Sequence, residues 1–209
     1  TALRTGVAYR ANISASGGDE KTKFFVSGNL LDEESIFVGN EYTRLNARTN
    51  LTHQLNKKVS IGSNMNFSYV NNSPVPIQNG VGKSNNMLPI HPVYKEDGTY
   101  FNVLRNPRAG IDLFTTNTKN RSFIASWYIR YQIAKGLDFR TEYGLNSIST
   151  NQKAYSDGRL RESGEAQAST SASSRNSWNW KNLLNYRKRV GNHNFDILAG
   201  VEASKSKFH

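Results

Sequence analysis

The residue types best suited to chemistry are sparse in this chain and badly placed for it. Its four histidines, His53, His91, His193 and His209, are scattered without the close spacing of metal ligands, so they read as structural or surface residues. Cysteine is absent, which removes disulfides, thiolate zinc sites and a cysteine nucleophile together. No G-x-S-x-G elbow occurs, and no two carboxylates stand out as an acid–base couple. Gly80-Val81-Gly82-Lys83-Ser84 resembles the end of a phosphate loop, but Ile77 occupies the position of the first glycine and no buried strand precedes it. Asp32-Glu33-Glu34 reads as a solvated charge run rather than a calcium site. The expectation is therefore a protein that is not an enzyme, with no cofactor and no metal.

Binding chemistry is more plentiful. Arg44, Asn46, Arg48 and Asn50 recur at every second position, as do Asn64 and Asn66, while Arg130 and Arg140 stand in later segments of the same character. Guanidinium and carboxamide groups offer donors and acceptors suited to sugars and peptides. Equally, such residues could simply hydrate a channel or pair with carboxylates. Tyr94, Tyr100 and Phe101, in a long proline-bearing segment, could stack on a ligand or pack the segment together.

Alternation is what positions these residues. Arg44, Asn46, Arg48 and Asn50 interleave with Leu45, Ala47, Thr49 and Leu51, which puts the two sets on opposite faces of a strand. Val59, Ile61, Met65, Phe67 and Tyr69 oppose Ser60, Gly62, Asn64, Asn66 and Ser68 in the same way. Similar runs begin near Val7, Phe24, Phe123, Leu137, Trp178 and Phe195, making eight strands, most of ten residues or more. The mean globular strand is ~5–6 residues, so these are long for a sandwich.

The connections alternate as well. Short polar turns fall at Gly17-Gly18-Asp19-Glu20-Lys21, Asn56-Lys57-Lys58, Ala134-Lys135-Gly136 and Val190-Gly191-Asn192, and longer segments at roughly 32–41, 72–119 and 148–175. Short and long connections in strict succession are the layout of an outer-membrane barrel, with tight periplasmic turns and extended external loops. The predicted class is all-β: a segment of an antiparallel up-and-down transmembrane β-barrel of about eight long strands, with 72–119 and 148–175 as long extracellular loops. A self-contained small barrel or sandwich acting as a binding or adhesion module is the alternative, because eight strands can close on themselves.

Composition agrees. Hydrophobic residues make up 36% of the 209 while aromatics reach 11%, which suits a sheet with lipid on one face and water on the other. The net charge of +11 raises the possibility of nucleic acid. The basic residues are spread over many strands and turns, however, which suits lipopolysaccharide phosphates better.

Several segments together resemble the SusC/RagA family of TonB-linked outer-membrane transporters. They are Ser16-Gly17-Gly18-Asp19, Lys21-Thr22-Lys23-Phe24-Phe25-Val26-Ser27-Gly28, Leu30-Leu31-Asp32-Glu33-Glu34, Tyr42 through Asn50, Lys58 through Gly62, Leu88-Pro89-Ile90-His91-Pro92-Val93-Tyr94, Asp97-Gly98-Thr99-Tyr100 and Asn106-Pro107-Arg108-Ala109. They stand in the family's order over most of residues 5–145, with Ser35 where the family usually has glycine. The resemblance implies a barrel of roughly 22 strands closed by a plug. It also implies import of oligosaccharides or peptides, a SusD-like surface lipoprotein as partner, energy from the TonB complex, and location in the outer membrane of a Gram-negative bacterium. No plug and no TonB box are recognised in residues 1–209, so these read as part of the barrel wall. Arg44, Asn46, Arg48, Asn50, Asn64, Asn66, Arg130 and Arg140 are then expected to face the lumen, and Tyr94, Tyr100 and Phe101 to lie in an external loop.

Overall fold

The computed structural model describes residues 3–75, 88 and 90–209; the Gly80–Ser84 run lies outside them. Eight strands form one antiparallel sheet in sequence order: β1 (Ala8–Gly18), β2 (Thr22–Glu34), β3 (Glu41–Gln54), β4 (Val59–Ser73), β5 (Phe114–Ala134), β6 (Leu137–Ser156), β7 (Gln167–Val190) and β8 (His193–Phe208). One short helix, α1 (Pro107–Asp112), and a single 3-10 turn at Gly158–Leu160 are the helical elements among the described residues.

Register carries the alternation from strand to strand without a slip of face. Phe24, Leu51, Ser63, Trp127, Tyr143, Trp180 and Ala203 form one cross-strand row, and Lys23, Thr52, Gly62, Tyr128, Glu142, Lys181 and Glu202 form the row behind it. Since a shift by one residue would exchange the faces, this continuity divides the sheet into one apolar and one polar surface. The register shifts by one residue only between Gln132 and Ala134, where Gln132 pairs with Asp138 and Ala134 with Leu137. This slip is confined to the last pair before the β5–β6 turn, and the rows above it keep their faces.

Among the described residues nothing covers the apolar surface. Trp180 is 50% exposed and Val201 66%, and Phe24, Val26, Leu45, Leu51, Phe67, Trp127, Ile129 and Tyr143 are exposed beside them. Among the described residues the buried apolar side chains are only Leu31, Ala109, Ile111 and Ala125. A water-soluble protein of this size does not leave its main hydrophobic surface bare. Nor does the sheet close, for β1 pairs with β2 and β8 with β7, and no pairing joins β1 to β8. The self-contained barrel or sandwich is therefore not what the described residues form.

The short connections emerge at 19–21, 55–58, 135–136 and 191–192, all at one end of the sheet. Asp19 accepts hydrogen bonds from the amides of Lys21 and Thr22, and these hold its carboxyl below the ordinary carboxylate range. Asn56 does the same for Lys58 and Val59. At the opposite end the strands run further than the periodicity predicts. The connections there are 35–40, 74–113 and 157–166, so the segments expected at 32–41, 72–119 and 148–175 are shorter than predicted. Residues 167–175, within the segment expected as a loop at 148–175, are the start of β7, with Gln167 paired to Ser156 and Ser174 to Ser149. The Ser, Thr and Ala residues there show no apolar–polar alternation. Backbone pairing needs none.

The turn glycines lead to a test. Gly136 has φ +83° and a Cβ there would overlap the carbonyl oxygen of Arg187, whereas Gly191 has φ +60° with open space around it. Gly191→Ala should cost roughly 1–2 kcal/mol from left-handed strain alone. Gly136→Ala should cost clearly more, because the β5–β6 turn must also move away from β7. Denaturant unfolding of the two variants in the intact protein checks the order, and equal losses would contradict it.

Candidate functional site

The predicted polar residues share one surface. Arg44, Asn46, Arg48 and Asn50 alternate along β3, with Arg48 facing Asn66 and Asn50 facing Asn64 on β4. Toward β1 the surface continues as a carboxamide ladder, in which Asn46 donates to Asn29 over 3.5 Å and Asn29 donates to Asn12. These groups come together because each strand contributes its polar set at the same register. Arg48 donates to Asn50 Oδ1 at 3.4 Å, and Arg44 Nε is buried without a hydrogen-bond partner. Among the described residues neither arginine pairs with a carboxylate.

Arg130 and Arg140 belong to a different neighbourhood of that surface, nearer the short turns. They face each other directly across β5 and β6, an arrangement of like charges that requires carboxylates close by. Asp138 receives Arg130 at 3.0 Å and Arg187 at 2.9 Å on the same oxygen, and Glu142 receives Arg140 at 2.6 Å. The Arg140 guanidinium also stacks 4.0 Å from the ring centre of Tyr128. Tyr128 in turn lies across Gly62, where any Cβ would overlap its ring, and its hydroxyl comes within 3.4 Å of Thr52 Oγ1. A hollow of about 290 Å³ opens between Arg130, Arg140, Arg187, Asp138 and Asp196.

Asp138, Glu142, Arg187 and Tyr128 were not singled out from the sequence. The available signal was the symmetry of the hairpin about Lys135-Gly136, which brings Arg130 and Asp138 onto neighbouring strands. Arg187 joins them only through the β6–β7 register. The consequence is chemical: Arg130 and Arg140 already spend donors on internal carboxylates, while Arg44 and Arg48 meet none among the described residues.

The aromatic candidates of the long connection lie in a small folded unit. Val93 and Phe101 are joined by a backbone hydrogen bond of 3.1 Å, and the Tyr94 ring lies tilted against Tyr100 with ring centres 5.3 Å apart. Asn106 is wholly buried beneath them. Its carboxamide donates to the carbonyls of Val93 (2.7 Å) and Phe101 (2.9 Å), and its oxygen caps α1 by accepting from the amides of Arg108 and Ala109. Pro107 suits the first position of the helix, where no amide is needed. Tyr100 donates to Asp112 at 2.8 Å and Phe101 lies 5.2 Å from the His91 ring, so both pack the unit, whereas Tyr94 remains exposed.

A single open sheet with an uncovered apolar face, a polar face rich in Arg and Asn, and alternating short and long connections has the architecture of the wall of an up-and-down β-barrel. The comparisons agree. No family model matches the chain. TonB-dependent receptor P26 of Formosa agariphila is 28% identical to it over 214 residues, covering 94% of this chain and 21% of the relative. TonB-dependent receptor P3 of the same organism is 23% identical over 217 residues, covering 96% and 22%. The chain thus spans about a fifth of the length of the curated relatives it matches. Among solved structures, the RagAB peptide importer in its closed-closed state superposes with a TM-score of 0.77 at 15% identity, over 98% of this chain and 26% of that one. The resemblance to TonB-linked outer-membrane transporters is borne out in sequence and in fold.

The Tyr100–Asp112 contact carries a pH prediction. Burial first, and then the Asp112 carboxylate, push the Tyr100 phenol up to about 12. Since that lies above its ordinary value of 10, the contact stabilises the unit fully below pH 10, and the stabilisation is lost as pH rises through 12. In Asp112→Asn the phenol should ionise at lower pH, which the difference between variant and parent absorbance titrations near 295 nm reads directly. An unchanged titration would show that Asp112 has no part in it.

Proposed function

We propose that the chain is part of the barrel wall of a TonB-dependent nutrient importer of the SusC/RagA kind, set in the outer membrane of a Gram-negative bacterium. The observation that carries this reading is the apolar band. On β6 it runs from Leu137 to Leu145, on β7 from Trp178 to Tyr186 and on β8 from Phe195 to Ala203, bounded above by Ser147, Asn176 and Lys205. Nine residues at ~3.3 Å each, tilted by ~40°, span a little over 20 Å. That approaches the ~25 Å apolar band of outer-membrane barrels. Its aromatic residues gather toward both edges, with Tyr131, Phe139, Tyr186 and Phe195 near the short turns and Tyr69, Phe123 and Trp178 toward the long connections.

In lipid the free backbone edges of β1 and β8 need partners, and the greater length of the relatives provides for further strands. The polar face then lines the lumen. Arg44 and Arg48, with Asn46, Asn50, Asn64 and Asn66, serve as donors and acceptors for an oligosaccharide or peptide in transit. Arg130 and Arg140 are lumen-facing contacts whose charge is already partly met. The long connections, carrying Tyr94, Tyr100 and Phe101, face outward toward a SusD-like lipoprotein, with Tyr94 as the ring free to contact it or the substrate. TonB engages through parts of the protein outside this chain.

Two measurements test the reading. Nitroxide labels placed singly at 44 through 51 in the full-length protein in bilayers should be accessible to oxygen at Leu45, Ala47, Thr49 and Leu51 and protected from it between them. Inverted or flat accessibility would place the wrong face in lipid. Arg44→Ala/Arg48→Ala should reduce TonB-dependent uptake of a fluorescent oligosaccharide or peptide by tenfold or more, at ~1.5–3 kcal/mol for each charged hydrogen bond lost, with surface expression unchanged. Uptake within twofold of the parent would remove these two arginines from the transport path.

A further inference from the structure

Charge is distributed unequally on the apolar face. Above the band on β5 to β8 stand Lys119, Arg121, Lys153, Lys205 and Lys207, all exposed and all on the same surface as Trp127, Tyr143 and Trp178. Their strands carry no carboxylate on this surface: Asp138, Glu142, Asp196 and Glu202 all fall on the polar one. Accordingly none of the five takes part in an ion pair among the described residues. Neighbouring strands differ, for β2 and β3 present Asp32, Glu34 and Glu41 at the corresponding height. Lys188 is the remaining cation on this surface of β5 to β8, and it sits at the other end, beside the β7–β8 turn.

The cations begin where the band ends. Lys205 pairs in register with Trp178, Lys207 with Asn176, and Arg121 with Tyr69, whose ring centre lies 6.0 Å from its guanidinium. Lys119 and Lys153 continue one or two rows further, either side of Asn151 and Asn117. An occupant of this surface must therefore offer acyl chains to the band and anionic oxygens immediately above it. Outer-leaflet lipid with phosphorylated sugars has that chemistry in one molecule, and long cationic side chains reach its headgroup while their stems stay on the apolar surface.

We infer that Lys119, Arg121, Lys153, Lys205 and Lys207 form a binding surface for the phosphates of a glycolipid such as lipopolysaccharide. The inference rests on the reading of the apolar face as lipid-facing and assigns that face its headgroup partner.

The test uses the full-length protein in an uncharged detergent, titrated with fluorescent lipopolysaccharide and with the same lipid stripped of its phosphates. Intact lipid should bind at least tenfold tighter than the stripped form and should weaken as salt is raised. K119Q/R121Q/K153Q/K205Q/K207Q should lose that preference, while K21Q/K57Q/K58Q, at the opposite end of the sheet, should change it less than twofold. If the fivefold variant does not fold, K119Q/R121Q and K205Q/K207Q are titrated separately, and each should lose at least threefold. Equal binding of the two lipids, or folded variants that keep the preference, overturns the proposal. The nitroxide periodicity at 44–51, measured in the same preparation, separates the two ideas. Periodicity without phosphate preference removes this inference alone, and absent periodicity removes the lipid-facing assignment beneath it.

Discussion

The constraint on which this structure depends is that a sheet one layer thick must satisfy its backbone through its neighbours while its faces meet different media. From β1 to β8 each inner strand exchanges hydrogen bonds on both sides, and the pairing is antiparallel throughout. With no second layer packed on the sheet among the described residues, tertiary burial contributes almost nothing to its specificity, as their handful of buried apolar side chains shows. Register does the work instead. Side chains repeat every two residues, so one slip anywhere would put Arg44 and Arg48 among Leu45, Ala47 and Leu51, at a cost of ~2–4 kcal/mol for each arginine held at the middle of a bilayer.

The same constraint explains where the charges lie. Carboxylates on β5 to β8 are confined to the polar face, where Asp138 serves two arginines and Glu142 a third. Directly opposed, Arg130 and Arg140 would repel. Their carboxylates and the face of Tyr128 make the arrangement tolerable, and the glycine at 62 leaves the space that the Tyr128 ring occupies. On β3 the arginines lack such partners, and so the same residue type has two roles on one surface. Beyond the apolar band the strands carry on with Ser, Thr and Asn on both faces, so the pairing continues where the alternation has ended.

The connection before β5 is organised by different means. It folds around a single polar side chain, Asn106, which joins two carbonyls and the first turn of α1, while the phenol of Tyr100 and the Arg108 guanidinium converge on Asp112. A buried carboxamide with its hydrogen bonds met fixes a geometry that exposed loop residues could not hold. That geometry turns Tyr100 and Phe101 inward and leaves Tyr94 outside.

Alternation by itself determined the strand identities, the two faces, the four tight turns and the sharing of one surface by Arg44, Arg48, Asn64 and Asn66, because a two-residue period is a local property that hydropathy records directly. It could not mark the ends of β5, β6 and β7, since Ser169, Ser171 and Thr170 are equally at home on either face when water lies on both. Nor could it show that Asp138 holds Arg130 and Arg187 at once, or that Asn106 lies beneath Tyr94 and Tyr100. Those contacts join residues on different strands or across a turn, at distances set by hairpin register and loop packing. Only the assembled sheet decided them, because which side chains meet is a property of how strands are laid side by side and not of the order of residues along any one of them.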